Sequence, residues 1–421
     1  MKNKFVLKPH LIALAFLGFN SGFAFILFNS TIMMALSFSD FSTVFISGLF
    51  ASSLPYALKV LWSPLMDYYA IPVLSKILGQ RRSWLLVAQL GLFVSSLGFI
   101  IKPDNIWLLS LISTIFVFFA ATQDIALDAY RIERLDPQEL ATGTTCSITG
   151  FRVGFLAAGM IPLYLLKTSG WSIAFISASM TLLIGPFITL MVQEPTGVRR
   201  NTSNKLPSPM EHLTSVYKSF VEFLQRPYWY LIILLIFFYK IGDSVPNAMK
   251  GPLLASLDFT PIETANISQA YGTILMIFGG FLGGLLVTKL GIFRSIIVGG
   301  SVQLLSPCMH AWLAVMRHNI PALIITTTVH NIACGLGSTI LVIYVSSLCK
   351  KSGTTATQFA LIYSFSSLTR TILSSASGIC AAYVDWSTFF VCTTLIGLPV
   401  FFIIKKLTPT VVPANNAENC E

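Results

Sequence analysis

The sequence predicts an all-α polytopic membrane protein whose twelve transmembrane helices fall into two related six-helix halves. Three observations carry that reading. The chain of 421 residues is 54% hydrophobic and only 10% charged, with a mean hydropathy of +0.76; a soluble chain of this length carries about 25% charged residues. Apolar runs long enough to cross ~30 Å of hydrocarbon recur along its whole length. Short motifs of the first half return in the second at a nearly constant offset.

The runs place spans near 11–36, 43–66, 83–101, 106–130, 143–166, 171–192, 229–253, 268–290, 295–316, 320–348, 356–384 and 386–405. The start, MKNKFVLKPHLIALAFLGF, has the basic and apolar regions of a signal sequence. No small-residue cleavage site follows, so it reads as an uncleaved first helix. Gly and Pro interrupt several spans, which bundled membrane helices tolerate. With the N-terminus in the cytoplasm, nineteen Lys and Arg fall on the cytoplasmic side and four on the other. That bias orients both termini inward. Trp62, Trp84, Trp107, Trp171, Trp229 and Trp386 lie near span ends, as interfacial anchors do.

The longest polar stretch, Gln193–Pro227, is rich in Pro, Ser, Asn and charge. It divides the chain into residues 1–192, a cytoplasmic linker 193–228, and residues 229–421. Within the linker, HLTSVYKSFVEFL (His212–Leu224) reads as an amphipathic helix on the membrane surface. WSIAF at Trp171 returns as WSTFF at Trp386, an offset of 215; Gly79–Arg82 and Gly291–Arg294 are offset by 212. Arg152 and Arg370 each fall in the fifth span of their half. Two six-helix halves with substrate bound between them is the major facilitator architecture.

Composition and motifs exclude other classes. The net charge of +10 is too dispersed for nucleic-acid binding. The seven cysteines are scattered without a CxxC pair, which argues against a disulfide framework or a metal site. The sequence has no HExxH, GxSxG or P-loop. The five histidines, at 10, 212, 310, 318 and 330, do not cluster along the chain. The expectation is a non-enzymatic, cofactor-free, gradient-driven transporter acting as a monomer. The twofold repeat argues against a polytopic receptor.

Function is sought among charges inside spans: Lys59, Asp124, Asp128, Arg152, Lys240, Asp243 and Arg370. Each costs roughly 2.5–3.5 kcal/mol at a helix centre, and seven uncompensated would cost about 20 kcal/mol, more than the net stability of a fold. They must face water, a polar path or each other. Arg152 lies ~14 Å into its span, near the midplane, as does Lys240. A guanidinium in each half suits an anionic ligand, which it grips in bidentate fashion; backbone carbonyls at broken helices are the alternative partners. Lys240 and Asp243, at i, i+3, can pair with one another. Asp124 and Asp128 end the uncharged run Ile106–Ala121 at i, i+4. Asp128 reads as a structural acid meeting Arg81 and Arg82. Asp124 lies one turn deeper, where desolvation suits a carboxylate to proton exchange; neutralising Lys59 or a facing arginine is its alternative role. Gln123 beside it can hydrogen-bond a substrate. His330, in the glycine-rich polar section HNIACGLGSTI, reads as a hydrogen-bonded packing residue.

WSPLMDYY (Trp62–Tyr69), GQRRSWLL (Gly79–Leu86) and TQDIALDAYRIERLDPQE (Thr122–Glu139) resemble the AmpG muropeptide permease family. GFRVG (Gly150–Gly154), YKIGD (Tyr239–Asp243), CGLGS (Cys334–Ser338) and ATQFAL (Ala356–Leu361) extend the resemblance over about residues 11–405. The GQRR loop is general to major facilitators; WSPLMD with TQDI is more specific. The resemblance implies a proton symporter of the bacterial inner membrane that imports N-acetylglucosaminyl-1,6-anhydro-N-acetylmuramic acid, with or without peptide, for peptidoglycan recycling. It makes Asp124 the first candidate for a required acid, with Gln123 beside it. Lys59, Lys240 and Asp243 also match family positions. Arg152, Lys240, Arg370, Lys59 and Asp243 are then the candidate contacts for an anionic glycopeptide, and Asp67, Arg81, Arg82 and Asp128 the candidates for conformational gating. Two departures stand out: the loop Asp67–Gly79 is longer than in the family, and longer members continue with further C-terminal spans. The alternative cargo is another anionic metabolite, such as acetyl-coenzyme A or a nucleotide-like molecule.

Overall fold

Proline and glycine decide where the helices break and where they touch. The structure, a computed structural model of the chain, describes residues 8–32, 35–36, 50–100, 106–195, 209–225, 228–260, 263–349, 354–381 and 383–411. Nine helical stretches among them are long and apolar enough to cross a membrane. The helices form two compact units. The first contains residues up to Phe220 and also Val345–Ser364; the second contains Val221–Tyr344 and everything from Phe365.

In the first unit, α1 (Pro9–Ile26) opens on Pro9, where the missing N–H has no helical partner to lose. The second expected span, 43–66, is not one helix. Residues 37–49 lie outside the described part. From Phe50 the chain runs through a 3-10 turn (Phe50–Ser53), α2 (Leu54–Leu58), a second 3-10 turn (Lys59–Leu61) and α3 (Ser63–Tyr68). Pro55 and Pro64 begin the two short helices and cannot continue the ladder of the turns before them. A one-turn helix, α4 (Leu74–Leu78), precedes α5 (Gln80–Leu97). Then come α6 (Ile106–Arg134), α7 (Leu140–Ser169), α8 (Trp171–Leu182), α9 (Ile184–Met191) and the amphipathic α10 (Pro209–Leu224), which covers the helix expected over His212–Leu224.

The α1–α7 crossing positions the site. Gly18 and Gly22 on α1 face Gly150 and Gly154 on α7. A Cβ on Gly18 would lie 2.0 Å from the Ser147 carbonyl oxygen, one on Gly22 1.9 Å from that of Phe151, and one on Gly150 1.8 Å from that of Ala15. Only glycine permits this approach, the small-xxx-small contact of membrane helices. On one side of the crossing, Phe23, Leu27, Phe28, Phe99, Phe116 and Phe175 form a buried core. On the other, Leu14, Leu17, Leu85, Ile125 and Tyr130 form a second, which also takes in Ala356 and Ala360 from the distant segment.

The second unit contains α11 (Trp229–Ser256), a wide π turn (Thr264–Tyr271), α12 (Gly272–Leu290), α13 (Ile292–Met316), most of α14 (Ile320–Cys349), the later part of α15 (Thr355–Ala381), α16 (Trp386–Gly397) and α17 (Pro399–Val411). Here too glycine sets a crossing. A Cβ on Gly279 would meet the Ile332 carbonyl at 2.3 Å, and one on Gly335 that of Met276 at 2.2 Å. The repeated motifs do the same local work in each unit. Gly79 and Gly291 take φ of +89° and +75° just before α5 and α13. In the paired Trp-Ser motifs, Ser172 Oγ donates to Ile100 O and Ser387 Oγ to Ala311 O, each at 3.3 Å.

Candidate transport site

The glycine crossing carries Asn20 and Ser21, between Gly18 and Gly22, to the polar turn of α6. Asn20 Nδ2 donates to Gln123 Oε1 at 2.8 Å, and Ser21 Oγ donates to Asp124 Oδ1 at 2.6 Å. Asn20 and Gln123 are each 1% exposed. Trp62 Nε1 donates to Thr122 Oγ1 at 3.1 Å, closing the same turn from α3. Lys59 is buried in the 3-10 turn, with Nζ 4.4 Å from the Tyr363 ring centroid. It acts electrostatically on both Asp124 and Asp128, but Asp124 makes no ion pair within 4 Å among the described residues. Asp124 is thus held by a neutral donor, with a cation at longer range. A carboxylate so placed can bind a proton without first breaking a direct salt bridge. Arg152 lies on α7 between Gly150 and Gly154 and is buried. Arg370 lies on α15; its side chain is outside the described part.

The expectation that Asp128 meets Arg81 and Arg82 needs correction. Asp128 pairs with Arg131, one turn further along α6, at 3.0 Å. Arg131 in turn reaches Ser346 Oγ at 3.2 Å and lies 5.5 Å from the Phe359 ring centroid. Arg81 has other partners. Its Nη2 donates to Asp67 Oδ1 at 2.7 Å and to Glu133 Oε1 at 2.5 Å, its Nε to Glu133 Oε2 at 3.0 Å, and its Nη1 to Met66 O at 2.7 Å. Arg81 and Asp67 side chains are fully buried. Asp67 also caps α15: Oδ1 accepts from the Ala356 amide at 3.2 Å, and Oδ2 from the Thr357 amide at 2.9 Å and its hydroxyl at 2.7 Å. Arg81 thus bridges two acids, and the Asp67 carboxylate also sits at the positive end of the α15 helix dipole. Arg82 points elsewhere, to the carbonyls of Thr189 and Leu190 that end α9. Glu194 caps α5 by accepting from the Arg81 and Arg82 amides at 2.9 and 3.0 Å.

In the second unit Lys240 and Asp243 pair along α11 at 3.2 Å, as their spacing allows. The histidines, dispersed in sequence, do meet: the His310 and His330 rings stand perpendicular with centroids 4.7 Å apart. His330 Nδ1 lies 2.6 Å from Ser306 Oγ, so His330 is a hydrogen-bonded packing residue. Sequence reasoning missed Ser21, Asn20, Glu133 and Thr357. Glu133 was hidden among RIER, which reads as a loop but is the last turn of α6; the GxxxG spacing around Asn20 and Ser21 was the available signal for that pair.

Long apolar helices, acids held inside them and a buried cluster of Arg81, Asp67 and Glu133 define a multi-pass membrane protein of the transporter type. Residues 10–356 match the major facilitator superfamily model. A Rickettsia prowazekii protein named putative transporter AmpG 3 is 42% identical over 95% of this chain and 97% of its own length. The anhydromuropeptide permease of Escherichia coli K12 is 28% identical over 94% of this chain and 79% of its own. The solved structure of the proton:xylose symporter XylE, bound to 6-bromo-6-deoxy-D-glucose, superposes with a TM-score of 0.63 over 96% of this chain and 94% of its own at 14% identity, a likeness of fold. The chain belongs to the major facilitator superfamily, in its AmpG-type branch.

Proposed function

We propose that this protein is a proton-coupled importer of cell-wall muropeptides, working as a monomer in a bacterial inner membrane with both termini in the cytoplasm. The observation that carries the coupling is Asp124, partly buried on a membrane helix and held by the Ser21 hydroxyl rather than by a salt bridge. The cargo class rests on the relatives, among them the Escherichia coli anhydromuropeptide permease. In this reading residues 1–192 and 229–421 are the two halves joined by the linker 193–228. Asp124 takes a proton from the outer side and gives it up inward as the halves alternate access. Gln123, Arg152, Lys240, Arg370, Lys59 and Asp243 contact the sugar hydroxyls and the lactyl and peptide carboxylates. Asp67, Arg81 and Arg82, with Glu133, hold one conformational state, and Asp128 acts separately through its pair with Arg131, which reaches Ser346.

The test is uptake of radiolabelled anhydromuropeptide into vesicles bearing the protein, with and without an inward proton gradient. Accumulation that needs the gradient and is lost in Asp124→Asn is the expected result. Gradient-driven accumulation that survives Asp124→Asn removes the coupling role. No uptake by correctly inserted protein removes the cargo and turns the search to acetyl-coenzyme A or a nucleotide-like anion.

A further inference from the structure

Along α11, Lys240, Asp243, Asn247 and Lys250 recur at i, i+3, i+7 and i+10, which places them on one face. Asn247 is exposed, and Lys240, Asp243 and Lys250 are each partly exposed. The two oxygens of Asp243 have different jobs. Oδ1 accepts from Asn247 Nδ2 at 2.7 Å, and the same nitrogen donates to the Asp243 carbonyl at 2.8 Å. Oδ2 meets Lys240 Nζ at 3.2 Å. The Asn247 amide is held in that orientation from the other side, where its Oδ1 faces His330 Nε2 at 3.5 Å and His330 is fixed by Ser306. One oxygen of the carboxylate is therefore held by Asn247 and the other meets the lysine, with the Cys334 thiol also hydrogen-bonded to the carboxylate.

We propose that Asp243 is a releasable counter-ion: a proton on Oδ2 displaces Lys240, and the freed ammonium, with Lys250 further along the stripe, binds a carboxylate of the ligand. The proton comes from water and lands on the oxygen that Lys240 vacates; the Oδ1–Asn247 bond is untouched. Linkage then works both ways. A bound anion that draws Lys240 away makes Asp243 a better proton acceptor, and the proton makes Lys240 a better anion site. The groups that act on Asp243 are Lys240, His330 and Cys334, with Tyr239 and Lys250 on its own helix. His310 stands behind His330, and α15 carries Tyr363, Arg370 and Cys380. The inference adds a second, anion-linked proton to the one proposed for Asp124, and its ligand rests on the muropeptide reading.

The full chain in lipid nanodiscs tests it in two ways. Without cargo, pulse acetylation with acetic anhydride at pH 8 is read by mass spectrometry at Lys240. Asp243→Asn removes the counter-charge that holds the ammonium, and labelling is expected to rise on the order of 10-fold. Unchanged labelling overturns the proposal. With cargo, calorimetric titration of anhydromuropeptide tripeptide is run in buffers of different ionisation enthalpy. Wild type is expected to take up one proton more than Asp243→Asn, and the variant's affinity to stay constant where that of wild type falls towards pH 8. Lys240→Met is expected to lose the same proton and to bind weakly. Equal proton uptake in all three overturns the proposal. Labelling that responds to Asp243→Asn, with no muropeptide binding at any pH, leaves the coupled pair standing and overturns the cargo reading instead.

Discussion

Ser21 and Asp124 are joined by a 2.6 Å hydrogen bond across the α1–α6 contact, one residue on from the 2.8 Å bond between Asn20 and Gln123. The acid of α6 proposed for coupling is therefore only as well placed as the glycine crossing that brings α1 to it. Gly150→Val would force a side chain to within 1.8 Å of a backbone oxygen that cannot yield. Overpacking of this kind costs about 1–3 kcal/mol when neighbours can adjust, and here the helices themselves must part. A fall in thermal unfolding temperature in detergent, together with lost uptake, is expected. Unchanged stability would mean that the two helices are not in backbone contact.

The cluster of Arg81, Asp67 and Glu133 carries a signed prediction. Removing one member of a buried ion pair costs about 3–5 kcal/mol, because the partner is left charged and buried. Arg81→Met strands two acids, whereas Glu133→Gln still leaves Arg81 paired with Asp67. Arg81→Met is expected to be the more destabilising of the two in urea or heat unfolding. The triple variant Arg81→Met, Glu133→Gln, Asp67→Asn is expected to recover part of the loss. A triple variant as unstable as the sum of the singles would show that the three do not act as a unit.

A third prediction concerns pH. Glu139, just before α7, accepts from Lys8 and lies 3.0 Å from His10 Nε2. The Lys8 hydrogen bond, helped by His10, holds its carboxyl below the ordinary glutamate range. A depressed carboxyl stabilises the folded state above the unfolded pKa, and that contribution is lost as pH falls through the folded value. Glu139→Gln is thus expected to be less stable than wild type at pH 7.5 and equal to it near pH 3. Lys8 is exposed, so the difference should shrink in high salt. Thermal unfolding at the two pH values, with and without 1 M salt, checks this.

The fourth follows from the helix cap in the second unit. Asp385 accepts from the Thr388 amide at 2.9 Å at the start of α16. Asp385→Ala is expected to cost about 1 kcal/mol, visible as a small drop in unfolding temperature with transport intact. A large loss of transport would assign Asp385 a role beyond capping.

Much of this was readable in the sequence because lipid imposes simple demands. A long apolar run such as Ile106–Ala121 has few alternatives to a helix, and the Lys240–Asp243 pair followed from helical spacing alone. The breaks within the second span are not visible in hydropathy, which ignores Pro55 and Pro64; these break the ladder without changing the apolar count. Asp128 was assigned to the wrong arginine because a charge near a basic loop has several candidate partners. Burial chose Arg131 for Asp128 and left Arg81 to Asp67 and Glu133. Ser21 escaped because a lone serine in an apolar run carries no charge to flag it. The meeting of His310 with His330 depends on how α13 packs on α14, which no local pattern encodes.

The bond from Asp67 to Thr357 spans 290 positions, and this fixes an order of assembly. A ribosome that has made α1 to α7 has already made Asp67, Arg81 and Glu133, with two carboxylates to one guanidinium. Until residue 357 emerges, Asp67 lacks the amides and hydroxyl that its carboxylate accepts from in the folded protein. Its last structural element is thus supplied by the far end of the chain, after most of the second unit has been synthesised.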